Sequence, residues 1–249
     1  MRFPWLVQGV TDQRGPEDSQ SWNFATVTET GAARLARVWV DLTSHLDFRA
    51  VTYARQVHGI TVLIHEGSAP GWRTGPSEPS PFSPGSGSPP PGVGCDLPPE
   101  ADGHLTREPG LLLGVSLGDC VPVFLVEPSS EVVGVLHAGW RGVSAGVLEE
   151  GIGLLRDRFA IPAEDIHFHL GPSICGRCYE VGPEVHGAVG LRAPEAPGPL
   201  DLRAVLVDRA LEMGLKASLI TRSSLCTLCG ESPFFSHRAT APTGSPLAL

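Results

Sequence analysis

No stretch of this chain concentrates charge of one sign. The formal charge of -9 is spread over 249 residues of which 18% are charged, so a surface that tracks nucleic-acid phosphates is not expected and small-molecule chemistry fits better. Nor is there an apolar run of about 18 residues, the length a membrane-spanning helix needs. Met1 to Val10 carries one arginine and no apolar segment long enough for a secretory leader, which leads us to expect a soluble, cytoplasmic protein with no membrane partner. Six cysteines, Cys95, Cys120, Cys175, Cys178, Cys226 and Cys229, read as thiols or metal ligands rather than as a disulfide framework in such a protein. What the chain does have is a 41% hydrophobic content, enough to bury one large core, with length and composition favouring one domain no more than two.

The most organised stretch is Leu111 to Arg158. A continuous apolar run is interrupted at Asp119-Cys120, turns at Glu127-Pro128-Ser129-Ser130 and resumes from Val132 to Leu136 before His137. Two buried strands are predicted there. A glycine-rich corner follows, Ala138-Gly139-Trp140-Arg141-Gly142, and then Val143, Val147, Leu148, Ile152, Leu155 and Phe159 recur at helical spacing. Cys120 and His137 thus stand at the ends of adjacent strands, where both side chains can face one cleft as metal ligands or catalytic groups.

Elsewhere, Arg2 to Val10 reads as a strand and the polar turn after it carries Arg14, an arginine that can bind an anion. Leu35, Val38, Trp39, Leu42 and Leu46 predict an amphipathic helix over 32–48. Ala50 to Arg55 and Ile60 to His65 alternate as strands around Gln56-Val57-His58-Gly59, with Gly59 expected to permit the turn that aims His58. Pro70 to Glu100 holds ten prolines and six glycines, a surface insertion without periodicity that includes Cys95. Asp102 reads as a turn residue. Ile161 to Leu170 is a predicted strand whose His167 and His169 share one, solvated, face. Asp201 caps a helix carrying Leu202, Val205, Leu206 and Met213 that Gly214 ends. Lys216 to Thr221 is a further predicted strand.

Three constellations can carry chemistry. His58, Cys120 and His137 form a set able to hold zinc with a fourth position open, and residue types and spacing alone favour the alternative, a buried free cysteine with two satisfied histidines. Cys175-x-x-Cys178 and Cys226-x-x-Cys229 form a formal four-thiolate set, but 47 residues separate the pairs, and whether they bind a second metal stays open. Alternatively, Cys120 is a nucleophile with His137 as base and Asp119 or another carboxylate as the orienting group of a thiol hydrolase.

Seven blocks carry a resemblance: Arg55-Gln56-Val57-His58-Gly59, Ala101-Asp102-Gly103, Gly118-Asp119-Cys120-Val121-Pro122, His137-Ala138-Gly139-Trp140-Arg141-Gly142, Leu170-Gly171-Pro172-Ser173-Ile174, Cys178-Tyr179-Glu180-Val181-Gly182 and Phe234-Phe235-Ser236-His237-Arg238. In this order they resemble the YfiH-like laccase-domain family from about Val7 to Arg238. The resemblance implies an α+β fold, a layered α/β/β/α sandwich with mixed sheets, as one domain over 1–249 with the insertion at about 70–100. It further implies phosphorolysis of adenosine, inosine and S-methyl-5'-thioadenosine to base and ribose 1-phosphate, accompanied by adenosine deamination. The family's metal ligands map to His58, Cys120 and His137, with zinc expected and copper an alternative. Asp119 and Arg141 join them as expected catalytic residues. Substrate and phosphate binding is assigned to Arg14, Gln56 and Arg141.

Departures from the family pattern bear on these assignments. The family's N-terminal arginine precedes a Gly-Gly turn, whereas Arg14 is followed by Gly15-Pro16, and Ile174-Cys175-Gly176-Arg177-Cys178 replaces the usual I-G-P-C-C. The expected partners are a purine nucleoside and phosphate, with the chain a monomer or small homo-oligomer. The family's older reading as a copper polyphenol oxidase calls for many imidazoles around clustered metals, and this chain has nine histidines and one H-x-H pair. A non-catalytic zinc-stabilised binding module is the remaining alternative.

Overall fold

The computed structural model describes residues 3–11, 46, 48–66, 99–239 and, as backbone, 247–248. Arg14, nearly all of the helix expected over 32–48, and the insertion up to residue 98 with Cys95 lie outside the described residues. The strands are β1 (Ala50–Thr52), β2 (Val62–His65), β3 (Gly103–Thr106), β4 (Leu111–Leu113), β5 (Val115–Ser116), β6 (Val121–Glu127), β7 (Val132–Ala138), β8 (His167–Leu170), β9 (Glu180–Val181), β10 (Gly198–Pro199), β11 (Ile220–Arg222) and β12 (Leu247–Ala248). The described helices are α1 (Trp140–Ala145), α2 (Val147–Phe159), α3 (Pro183–Ala188) and α4 (Leu202–Glu212).

A six-stranded mixed sheet in the order β11-β8-β6-β7-β3-β2 forms the centre. Its middle strands, β8, β6, β7 and β3, run antiparallel to their neighbours, while β11 and β2 add in parallel at the two edges. Because side chains alternate across a strand, the apolar runs of β6 and β7 supply both faces of the sheet. Val123, Leu125 and Leu136 point to a helical core with Val147, Leu148 and Ile152 of α2 and Leu206 of α4. Phe124 and Val135 point the other way, against Leu113, Val115 and Leu117. Helices, central sheet and a second β layer built from the β4 and β5 segments therefore stack in that order, a mixed α/β fold with mixed sheets as expected.

Several local expectations are revised. The apolar repeat from Val143 to Phe159 is two helices, not one, because Gly146 takes a left-handed φ of 100° that breaks the hydrogen-bond ladder between α1 and α2. Gly151 serves closeness instead: a Cβ there would lie 2.8 Å from Leu136 Cδ1, so glycine lets α2 approach β7. Residues 3–6 make a turn, with the Leu6 amide donating to Phe3 O at 3.1 Å, and residues 6–9 run on without regular structure, so the expected strand is absent there. The strands predicted from Ile161 and Lys216 begin later, at His167 and Ile220, each after a single 3-10 turn. Asp201 does cap α4, accepting the Arg203 amide at 3.0 Å, and Gly214 at φ 96° follows its end.

Candidate metal centre

Strand register builds the site. In the antiparallel β6/β7 pair, Val121 faces Ala138 and Pro122 faces His137, so Cys120, one residue before β6, comes beside the end of β7. On the other side of β7, Gly103 of β3 faces Leu136, which sets Asp102 against His137. Parallel pairing of Val62 with Gly103 then hangs the loop before β2, with His58, over the same point. The ligand atoms of His58, Cys120 and His137 lie within 4.8 Å of one another. Cys120 Sγ is 3.9 Å from His58 Nε2, and the two imidazole rings meet edge to face with centroids 4.8 Å apart.

Asp102 holds this arrangement. Fully buried, its carboxylate accepts the backbone amides of Val57 (3.2 Å), His58 (3.0 Å) and Gly59 (2.7 Å), and lies 2.8 Å from His137 Nδ1. One side chain thus folds the His58 loop and fixes the His137 ring, leaving Nε2 of His137 for a ligand. The turn role expected of Asp102 is present, and of the carboxylates left open as the orienting group it is Asp102, not Asp119, that lies against His137. Asp119 Oδ1 instead accepts the Thr227 hydroxyl at 2.6 Å and Oδ2 the Arg238 amide at 2.9 Å, tying the strand start to the C-terminal loop. At the turn expected to depend on Gly59 it is His58 itself that takes a positive φ, 59°, and Asp119 takes 87° beside Cys120. Left-handed backbone at non-glycine residues persists only where surrounding bonds enforce it.

Donor chemistry and space fit a soft divalent ion: one thiol, two imidazoles, and a carboxylate behind one imidazole. Gly139 keeps the space open, since a Cβ there would lie 2.7 Å from His58 Cδ2 and 2.9 Å from Cys120 Sγ. Electrostatics prepare the thiol. Burial alone would raise it, but the charge on His137 and hydrogen bonds to both imidazoles bring Cys120 from 9.0 down to about 6. Burial likewise opposes the His137 cation, and is outweighed by Cys120 and Asp102, which lift His137 to about 9. Without an ion the pair is therefore thiolate and imidazolium near neutral pH.

Two other expected residues sit differently. Gln56 is occupied within the protein: its Nε2 donates to Ser116 O at 2.8 Å and its Oε1 accepts the Ser116 amide at 2.6 Å, so it splices the His58 loop onto β5. Arg141 is exposed, its guanidinium 4.4 Å from the Trp140 ring centroid, and among the described residues it makes no hydrogen bond or ion pair. Residue-by-residue reading missed Arg238, whose guanidinium lies 5.2 Å from the Tyr179 ring centroid and donates to Glu180 O at 3.1 Å. Its place at the end of the Phe234 to Arg238 block was the available signal. His167 and His169 are partly buried and bond separately, His169 to Thr221 at 2.8 Å and His167 edge-on to Phe3, so the solvated face expected for them is half covered.

The sequence model described as multi-copper polyphenol oxidoreductase laccase matches residues 9–249. The purine nucleoside phosphorylase YlmD of Geobacillus stearothermophilus is 38% identical over 163 residues, 61% of this chain and 60% of that protein. An adenosine deaminase, RL5, from an unknown prokaryotic organism is 34% identical over 152 residues, 55% of this chain and 56% of that protein. These alignments thus span less than two thirds of either relative. The crystal structure of YlmD from Geobacillus stearothermophilus superposes with a TM-score of 0.79 at 28% identity, covering 97% of this chain and 90% of that one.

Proposed function

The chain belongs to the multi-copper polyphenol oxidoreductase laccase family, and from that premise we propose that it is a zinc-dependent purine nucleoside phosphorylase with accompanying adenosine deaminase activity. The observation that carries the reading is the meeting of His58, Cys120 and His137 within 4.8 Å, with His137 oriented by Asp102. Relatives named for both activities support it. Adenosine, inosine and S-methyl-5'-thioadenosine are the proposed substrates, with phosphate as co-substrate.

The two imidazoles and the Cys120 thiolate would hold the ion, with Nε2 the free nitrogen of His137. When bound, zinc supplies Lewis-acid polarisation of a reactant oxygen and eases loss of a proton from water. Asp102 keeps His137 in the tautomer that leaves Nε2 unprotonated, and Gly139 leaves room beside the thiol for a reactant. In phosphorolysis a phosphate oxygen bonds to the anomeric carbon while the bond to the purine nitrogen breaks, the electron pair leaving with the base. Arg141, braced on Trp140 and without a hydrogen bond or ion pair among the described residues, offers its guanidinium fork to the phosphate oxygens. Arg14 is a second proposed phosphate contact. In deamination water adds to purine C6 and ammonia leaves.

The test is incubation of the purified, zinc-loaded chain with adenosine, with and without phosphate. Adenine that forms only with phosphate supports phosphorolysis, and inosine that forms without it supports deamination. Cys120→Ala should abolish both while the circular dichroism spectrum is retained. Loaded protein that turns over neither way refutes the proposal.

A second reading rests on the thiolate-imidazolium pair backed by Asp102, the layout of a cysteine hydrolase. It predicts activity that survives a chelator and disappears on alkylation, whereas the metal reading predicts loss with the chelator. The copper oxidase in the family's description predicts phenol oxidation by copper-loaded protein. Among the described residues, the only group able to hold a metal that contains imidazole has two of them.

A further inference from the structure

A second cluster lies apart from the first. Cys175 and Cys178 sit in the loop after β8, and Cys226 and Cys229 in the loop after β11. Because β11 runs parallel beside β8, with Ile220 facing Phe168 and Arg222 facing Leu170, both loops leave the sheet edge at the same end. A parallel bridge between Ser173 and Cys226 extends that pairing. Pairs 47 residues apart in sequence thereby converge, and all four sulfur atoms lie within 4.8 Å of one another.

We propose that Cys175, Cys178, Cys226 and Cys229 bind a structural zinc ion as four thiolates, independently of the reading of the first site. Sulfurs at about 2.3 Å from zinc in a tetrahedron stand about 3.8 Å apart. Cys175 Sγ and Cys229 Sγ are 3.8 Å apart. The same sulfurs bonded to each other would stand at about 2.05 Å, and the cysteines are free. A second observation concerns the backbone. Cys226 Sγ accepts three amides, from Cys175 at 3.3 Å, Leu228 at 3.4 Å and Cys229 at 3.4 Å. Amides converging on one sulfur stabilise it as a thiolate, the form that binds a metal. No fifth side chain is needed, so the site is closed, as structural zinc sites are. Binding is not a redox step: Zn2+ replaces whatever protons the thiols still carry, and these go to solvent.

The ion would act as a clamp. The Cys226 loop includes Thr227 and leads on to Arg238, and these two grip the Asp119 carboxylate next to Cys120. Pinning that loop to the Cys175 loop keeps the left-handed turn at Asp119 from relaxing.

The experiment measures zinc by elemental analysis in the full chain carrying Cys120→Ser, which removes a ligand from the first site only. One zinc per chain should remain, and adding Cys175→Ser and Cys229→Ser should remove it. Cobalt replacement in the Cys120→Ser chain, which keeps the four cysteines, should give the intense visible bands and near-ultraviolet thiolate charge transfer of tetrahedral Co2+. Metal-free Cys120→Ser protein with all thiols reactive overturns the proposal, and so does a Cys175 to Cys229 disulfide found by mass spectrometry. Wild-type protein with no more zinc than the Cys120→Ser chain counts against the first site and leaves this one standing.

Discussion

Replacing Asp102 by asparagine keeps the shape and removes the charge, and the geometry says why this cannot be neutral. Oδ1 faces the His58 amide and His137 Nδ1, while Oδ2 faces the Val57 and Gly59 amides. An asparagine has one oxygen to offer. Placed at Oδ2, its NH2 meets two donors and the His58 loop loses both bonds. Placed at Oδ1, its NH2 opposes the His58 amide and drives the His137 proton to Nε2, the nitrogen the metal needs. Either way two charge-assisted hydrogen bonds are lost, each worth about 1.5 to 3 kcal/mol, so stability should fall by about 3 kcal/mol or more. Removing the partner behind a metal-binding histidine should also weaken zinc by roughly 10- to 100-fold. The Asp102 carboxyl is held below its ordinary range: burial works against this, and His137 with the loop amides overcomes it. A depressed carboxylate stabilises the fold above its unfolded pKa, and that stability drains away as pH falls through the folded value. The gap between wild type and variant should therefore shrink as pH drops below about 4. Urea titration across pH and zinc competition against a chelating dye measure both quantities. A variant with unchanged urea midpoint and undiminished zinc affinity would show that Asp102 does not organise the site. Asp119→Asn is the contrast, since one oxygen still accepts the Arg238 amide while the NH2 can donate to the Thr227 hydroxyl, so zinc affinity should be retained.

Zinc entering the metal-free first site must displace the His137 proton, so between about pH 6 and about pH 9 one proton should be released and affinity should rise tenfold per pH unit. Calorimetry in buffers of different ionisation enthalpy checks this, and zero release would contradict the thiolate-imidazolium pair. Gly139→Ala should fold, at a cost of about 1 to 3 kcal/mol, and lose zinc at the first site because the added methyl crowds His58 and Cys120; elemental analysis with a melting curve decides. Gln56→Ala should cost about 1 to 3 kcal/mol through its two bonds to Ser116 and leave the phosphate KM of zinc-saturated protein unchanged. Arg141→Ala should raise the phosphate KM by roughly 10- to 100-fold while deamination, which needs no phosphate, continues. Equal loss of both activities would refute that role for Arg141.

The strands around Cys120 and His137 were legible because an apolar run that fills both faces of a buried sheet has little alternative but to be a strand, and a two-strand pair joined by a short turn is antiparallel. That fixed the first and last residues of the pair side by side. Helix α4 was legible from its cap and stop residues. The break at Gly146 was not, since an apolar stripe continues through it and only the observed left-handed φ separates the two helices. Gln56 and Asp119 were expected at the site from their place in the blocks that carry the resemblance, and what the blocks do not show is that their polar atoms bond to Ser116, Thr227 and Arg238.

Local pattern determined which segments become strands and helices, which donors this chain owns, and that a thiol and an imidazole lie at one end of the β6/β7 pair. Tertiary structure alone decided that Asp102 backs His137, that His58 hangs over them, and that two distant cysteine pairs meet. Those outcomes depend on the register of β3 on β7 and on the parallel placement of β11 beside β8. Register and strand order arise from burying faces across the whole sheet, a long-range balance that no window of sequence contains.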